Sequence, residues 1–160
     1  MSRHTRYVRL RLAVHSLRTQ IERFREENQG PLLEKSGQLF KAITRNAFES
    51  LGAEFNDQDV PVMVGRRSDG SNVNVDGMSD GSRDQLYLAL RLAALDHYLK
   101  EHEPMPLILD DLLITFDDWR AKAILPQLAK LAERTQVFLF THHDHLVEVC
   151  RQTLKPEQFK

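Results

Sequence analysis

The sequence predicts an α/β fold built on two neighbouring parallel strands, preceded by helices and a β-hairpin. Three observations predict it. Leu107-Ile108-Leu109 and Val137-Phe138-Leu139-Phe140 are short, continuously apolar runs, as strands of a parallel sheet are. Between them, residues 119–133 place Ala123, Ile124, Leu128 and Leu131 at helical spacing, which completes a strand–helix–strand unit. Upstream, the apolar period changes from helical to alternating near residue 60.

The elements follow in chain order. Residues 4–28 are expected to form one helix, because Leu10, Val14, Leu17, Ile21 and Phe24 are spaced 4-3-4-3. That seam suits a coiled coil or an ordinary amphipathic helix. Asn28-Gln29-Gly30-Pro31 interrupts it, since Gly suits a helix end and Pro a fresh start. A second helix carries Leu33, Phe40 and Ala47 seven apart, with Ile43 between them, and is expected to end near Gly52. Val60, Val62 and Val64 alternate with Pro61 and Met63, and Val73 and Val75 alternate with Asn72, Asn74 and Asp76. With turn residues from Arg66 to Ser71 between them, this reads as a hairpin. Gly77 to Gly81 reads as a loop, and Asp84 to Leu99 as a helix apolar on nearly every side, hence buried. Pro104-Met105-Pro106 precedes the first apolar strand, and a helix from about Asp144 to Arg151 closes the chain. Trp119 and Tyr98 are expected to be packing residues.

Composition narrows the classes. At 160 residues and 18.6 kDa the chain suits one domain or one lobe of a larger one. Hydrophobic residues are 41% and charged residues 28%, as in a packed globular protein. A single cysteine, Cys150, excludes a disulfide scaffold and a Cys-based zinc site. With no apolar run near the roughly 18–20 residues that span a bilayer, a cytoplasmic chain with no membrane partner is expected. The net charge of −1 hides an asymmetry, because residues 1–50 carry ten Lys/Arg and five Asp/Glu whereas residues 51–160 carry twelve and eighteen. Arg3, Arg6, Arg9, Arg11 and Arg18 concentrate the positive charge on the first helix. This pattern suits either a DNA contact or a solvated helix face.

Both apolar strands end in polar residues, Asp110-Asp111 and Thr141-His142-His143. Ligands of open α/β sheets bind beyond the carboxyl ends of the strands, so Asp110, Asp111 and His142 belong to one rim. A carboxylate pair there suits a magnesium–nucleotide site, Asp110 holding the ion through its water shell and Asp111 orienting or deprotonating a water. The plainer reading is two Asp residues that end a strand. Met78-Ser79-Asp80-Gly81-Ser82 runs into a helix, whose unpaired N–H groups and dipole attract phosphate. Its plainer reading is an N-cap. Thr141-His142-His143-Asp144-His145 is a poor transition-metal site, because consecutive residues cannot easily all face one ion.

These stretches together resemble a known family. Met78-Ser79-Asp80-Gly81-Ser82-Arg83-Asp84-Gln85 is similar to the signature motif of ABC-type ATPase heads of the SMC/RecN/SbcC-like group, in particular the YhaN-like AAA-type proteins. Leu107 to Asp111 resembles Walker B, Phe116-Asp117-Asp118 the D-loop, and Phe138 to His142 the H-switch strand. The resemblance implies the C-terminal half of a P-loop head: a helical stalk over residues 1–52 and an ATPase lobe over residues 53–160. It implies ATP and Mg²⁺ as cofactors and a head-to-head homodimer. It further implies that Ser79 and Gly81 contact the γ-phosphate held by the opposing head, that Asp110 positions Mg²⁺, that Asp117 communicates between sites, and that His142 senses the γ-phosphate. Asp111 stands where most such ATPases have Glu, one methylene longer, and Asp80 stands where the signature usually has Gly.

No G-x-x-x-x-G-K-[ST] occurs in the chain, and no Lys follows a Gly. The resemblance therefore implies a separate N-terminal Walker A lobe, from the same gene or a split partner, without which the chain is expected to be inactive. The process implied is DNA repair or chromosome maintenance, in the cytoplasm or on the nucleoid. The alternative is a non-catalytic DNA- or protein-interaction module derived from such an ATPase.

Overall fold

A computed structural model describes Arg11 and residues 30–159, apart from residues 57, 59 and 115. The helix expected over residues 4–28, with Arg3, Arg6, Arg9 and Arg18, lies outside the described residues except for Arg11. The first described helix, α1, covers residues 30–43. It stops where Arg45 and Asn46 take left-handed backbone angles (φ 54° and 64°), with the Asn46 N–H donating to the Lys41 carbonyl at 2.9 Å. Asn tolerates this conformation better than most residues, so the stop is written in Asn46. The expectation of a helix to Gly52 is therefore corrected: Ser50–Phe55 is strand β1, and residues 44–52 are not part of a helical stalk.

Strand β1 pairs antiparallel with β2 (Pro61–Arg66), which pairs antiparallel with β3 (Asn72–Asn74). The expected hairpin is thus β2–β3, with β1 as a third strand. The buried side of this sheet presses on Phe48, itself stacked on Phe40 with centroids 4.8 Å apart. Gly65 permits this approach, since a Cβ there would lie 2.7 Å from the Phe48 ring and 2.8 Å from Met78.

Helix α2 (Asp80–Glu101) begins four residues before the expected Asp84, so Asp80 and Gly81 form its first turn rather than a loop. Nor is it buried all round. Gln85, Leu86, Leu88, Ala89, Leu92 and Ala93 face inward, while Tyr87 and Arg91 face water. The inner face joins Phe40 and Ile43 of α1 and Ile124, Leu125 and Leu128 of helix α3 (Asp118–Ala132) in one core. Gln85 is the polar member of that face, and its Nε2 donates to the Ile43 carbonyl at 2.6 Å, satisfying an acceptor that the end of α1 leaves open.

Strands β4 (Leu107–Asp110) and β5 (Val137–Phe140) pair in parallel, Leu107 opposite Val137 and Asp110 opposite Phe140, with α3 as the crossover. Helix α4 (Asp144–Thr153) packs beside α3. The continuous apolar runs of β4 and β5 predict buried strands, and this is corrected for one face. Leu107, Leu109, Val137 and Leu139 pack towards the core, whereas Ile108, Phe138 and Phe140 are 65%, 39% and 54% exposed. Among the described residues nothing pairs with the outer edges of this two-stranded sheet, and no helix is long and apolar enough to cross a membrane.

Candidate functional site

The parallel register brings the two strand tips side by side. Asp111 continues the ladder, its N–H donating to the Phe140 carbonyl at 3.0 Å. Its backbone then turns left-handed (φ 46°), a conformation Asp tolerates better than most residues. The turn swings its carboxylate across to the neighbouring tip, where Oδ2 lies 2.7 Å from His142 Nδ1 and Oδ1 accepts the His142 backbone N–H at 3.4 Å. Partial burial works to raise the Asp111 pKa, but the hydrogen bonds from the His142 ring and backbone outweigh it and hold the carboxyl below its ordinary value. With Nδ1 engaged by a carboxylate, the Nδ1–H form donates and Nε2 is left for another partner. The His143 ring leans over His142, centroids 4.0 Å apart.

Asp110 does not join this pair. By strand alternation it projects from the same side as Ile108, towards the bare face of the sheet. A single exposed carboxylate oxygen donor suits Mg²⁺, which keeps most of its waters and takes few protein ligands. Among the described residues no group of three or more His, Cys, Asp and Glu is placed to hold a metal, so the run from Thr141 to His145 forms no transition-metal cluster.

Ser79 is the N-cap of α2: its Oγ accepts the Ser82 N–H at 3.3 Å and lies 2.9 Å from Ser82 Oγ. The hydroxyl is exposed, so capping does not remove it from a surface that another molecule can reach. Arg83 forms an ion pair with Asp80, which turns that carboxylate along the helix. Asp117 is the N-cap of α3, its Oδ1 accepting the Arg120 N–H at 2.9 Å.

The six residues singled out from the sequence thus fall into two groups. Asp110, Asp111 and His142 share the strand tips, and Ser79, Gly81 and Asp117 share the starts of α2 and α3. Among the described residues no hydrogen bond joins the two groups. Three further features were missed. The Arg120 guanidinium lies against Gly81; an Arg three residues after a capping Asp signals its pairing with Asp117 but not this contact. His145 Nε2 lies 2.6 Å from Asp118 Oδ1, a pairing that no local spacing indicates. Trp119 is not a packing residue: it is 64% exposed, with the Arg45 guanidinium 4.7 Å from its ring centroid.

No protein-family model matches the chain. It is 30% identical over 142 residues to the uncharacterized protein YhaN of Bacillus subtilis, covering 88% of the chain but spanning only 14% of that relative's length. Its fold matches an Smc head domain with an extended coiled coil, bound to the C-terminal domain of ScpA, from Pyrococcus furiosus. There the TM-score is 0.57 and the identity 15%, over 91% of this chain and 40% of that one. A structure described by the ATP-driven dimerization and DNA-stimulated activation of SMC ATPases matches with a TM-score of 0.50 and 17% identity, over 71% of this chain and 75% of that one.

Proposed function

From a chain that has the fold of an SMC ATPase head and is similar in sequence to YhaN, we propose a C-terminal lobe that hydrolyses Mg-ATP once a Walker A lobe completes it. The complete form works as a head-to-head dimer serving DNA repair or chromosome maintenance. The observation that carries this reading is the Asp111–His142 pair across adjoining tips of parallel strands, beside the free carboxylate of Asp110. The bare side of β4–β5 supports the missing lobe, because parallel sheets are ordinarily covered on both faces. That no hydrogen bond among the described residues joins Ser79 and Gly81 to the strand tips fits a site shared between two heads.

The bound nucleotide and ion would supply the transferable phosphoryl group and the charge that offsets it. Asp110 would hold the ion through its waters. Asp111 remains ionised at neutral pH and, fixed by two hydrogen bonds from His142, orients a water for in-line attack. A carboxylate whose pKa is held below its ordinary value is a weaker base. That suffices where the transition state is loose and positioning supplies most of the acceleration. His142, held at Nδ1, offers Nε2 to a phosphate oxygen, a contact that needs a proton on Nε2 as well. Ser79 and the first-turn N–H groups of α2 would meet the phosphate of the opposing head.

The test is to mix the chain with a lobe bearing G-x-x-x-x-G-K-[ST] and follow phosphate release. Hydrolysis should appear, and Asp111→Asn should lower it at least ~100-fold. Hydrolysis that survives Asp111→Asn would remove the assigned role. A complex that forms but releases no phosphate would favour the non-catalytic interaction module. The positive charge of residues 1–50 favours an accompanying DNA contact. Such a contact should be sequence-independent and weaken steeply with salt, whereas affinity that is flat with salt would count against it.

A further inference from the structure

We propose that Arg120 is a positioning residue that ties the cap of α3 to the first turn of α2, so that Asp117 and the Ser79–Ser82 turn move together. This rests on the ATPase reading above, in which the α2 turn meets the opposing head and Asp117 communicates between the two sites. A Cβ placed on Gly81 would lie 2.4 Å from Arg120 Nη1, 2.6 Å from Cζ and 2.7 Å from Nη2. Nearly equal distances to three atoms of one planar group mean that the guanidinium lies flat against the glycine. Any side chain at position 81 would displace it. At its other end Arg120 is held twice by Asp117: Nε lies 3.8 Å from Oδ2, and the backbone N–H donates to Oδ1 at 2.9 Å.

Fold stability does not account for this arrangement. An ion pair at that separation on a partly exposed surface adds little. The guanidinium also sits beside the N-terminus of α2, the positive end of a helix, where a cation is disfavoured. Among the described residues its two Nη groups have no hydrogen-bond partner. What the contact does is fix the distance between two helix starts. A flat guanidinium can stack on backbone in this way, and an ammonium cannot.

The experiment measures kcat and KM for Mg-ATP on the head assembled with its Walker A lobe, with melting temperatures taken in parallel. Arg120→Ala should lower kcat ~10-fold with KM within ~2-fold, because engagement of the second head suffers while ATP binding in the first does not. Arg120→Lys should not restore kcat. In a Gly81→Ala background, where the stack is already broken, adding Arg120→Ala should cost less than ~2-fold. All variants should melt within a few degrees of the parent. The proposal is overturned if Arg120→Ala or Arg120→Lys keeps full kcat while Asp111→Asn abolishes hydrolysis. It is equally overturned if Arg120→Ala costs the same ~10-fold with and without Gly81→Ala. A parent complex that releases no phosphate removes the ATPase reading and the coupling with it.

Discussion

The bare face of the parallel sheet offers a quantitative test of the proposed second lobe. The perturbation is the double substitution Ile108→Thr and Phe140→Thr, which puts a residue of good strand propensity at both positions. Burying an Ile or Phe completely contributes about 1.5–3 kcal/mol. Ile108 and Phe140 are still 65% and 54% exposed, so a covering lobe would gain about 1.3 kcal/mol from each. Removing both should weaken association by about 2.6 kcal/mol, roughly 100-fold in Kd. The chain alone should hardly notice, because water-facing substitutions usually fall within about 0.5 kcal/mol, a melting shift under about 2 °C. Titration calorimetry against a Walker-A-bearing lobe gives the first quantity and a thermal melt of the chain gives the second. A double variant that melts normally and binds within about threefold of the parent refutes the assignment of this face.

Three further outcomes follow from the geometry. Asp117→Ala should destabilise the chain by about 1 kcal/mol, about 3 °C in melting temperature, through loss of the α3 cap, while Asp117→Asn should melt near the parent; equal effects of the two would refute the cap. Gln85→Leu should cost about 1–3 kcal/mol in urea unfolding, because it leaves the Ile43 carbonyl buried without a donor, and an unchanged urea midpoint would count against that bond. The Ser71 hydroxyl and N–H hold the Asp69 carboxyl below its ordinary 3.8, so its contribution is present above that pH and is lost as pH falls through the lower folded value; a nuclear magnetic resonance titration of Asp69 should show a midpoint below 3.8, and one at or above 3.8 would contradict it.

Much of the fold was legible because its signals are local. Prolines at 104 and 106 and acids at 110 and 111 bracket one apolar run, and Thr141 and His142 end the other, so both strands and their shared rim could be read directly. Strand β1 could not, since Ser50-Leu51-Gly52-Ala53-Glu54-Phe55 has neither clean alternation nor β-branched residues and is strand because β2 pairs with it. The end of α1 was missed because its stop is Asn46 in a left-handed conformation rather than a Gly. A continuous apolar run does not say which of its faces is covered, so the exposure of Ile108 and Phe140 was invisible. At the candidate site, the strand tips and helix caps were legible from motif order. The swing of Asp111 onto His142 depends on a left-handed turn, and the Arg120–Gly81 contact joins residues 39 positions apart, which no local spacing encodes.

The bond from Gln85 to the last turn of α1 has a mechanical consequence. It lies in a water-excluded seam, where a broken hydrogen bond finds no substitute. The two helices cannot slip past one another without losing it, so the end of α1 and the second turn of α2 are held in one register.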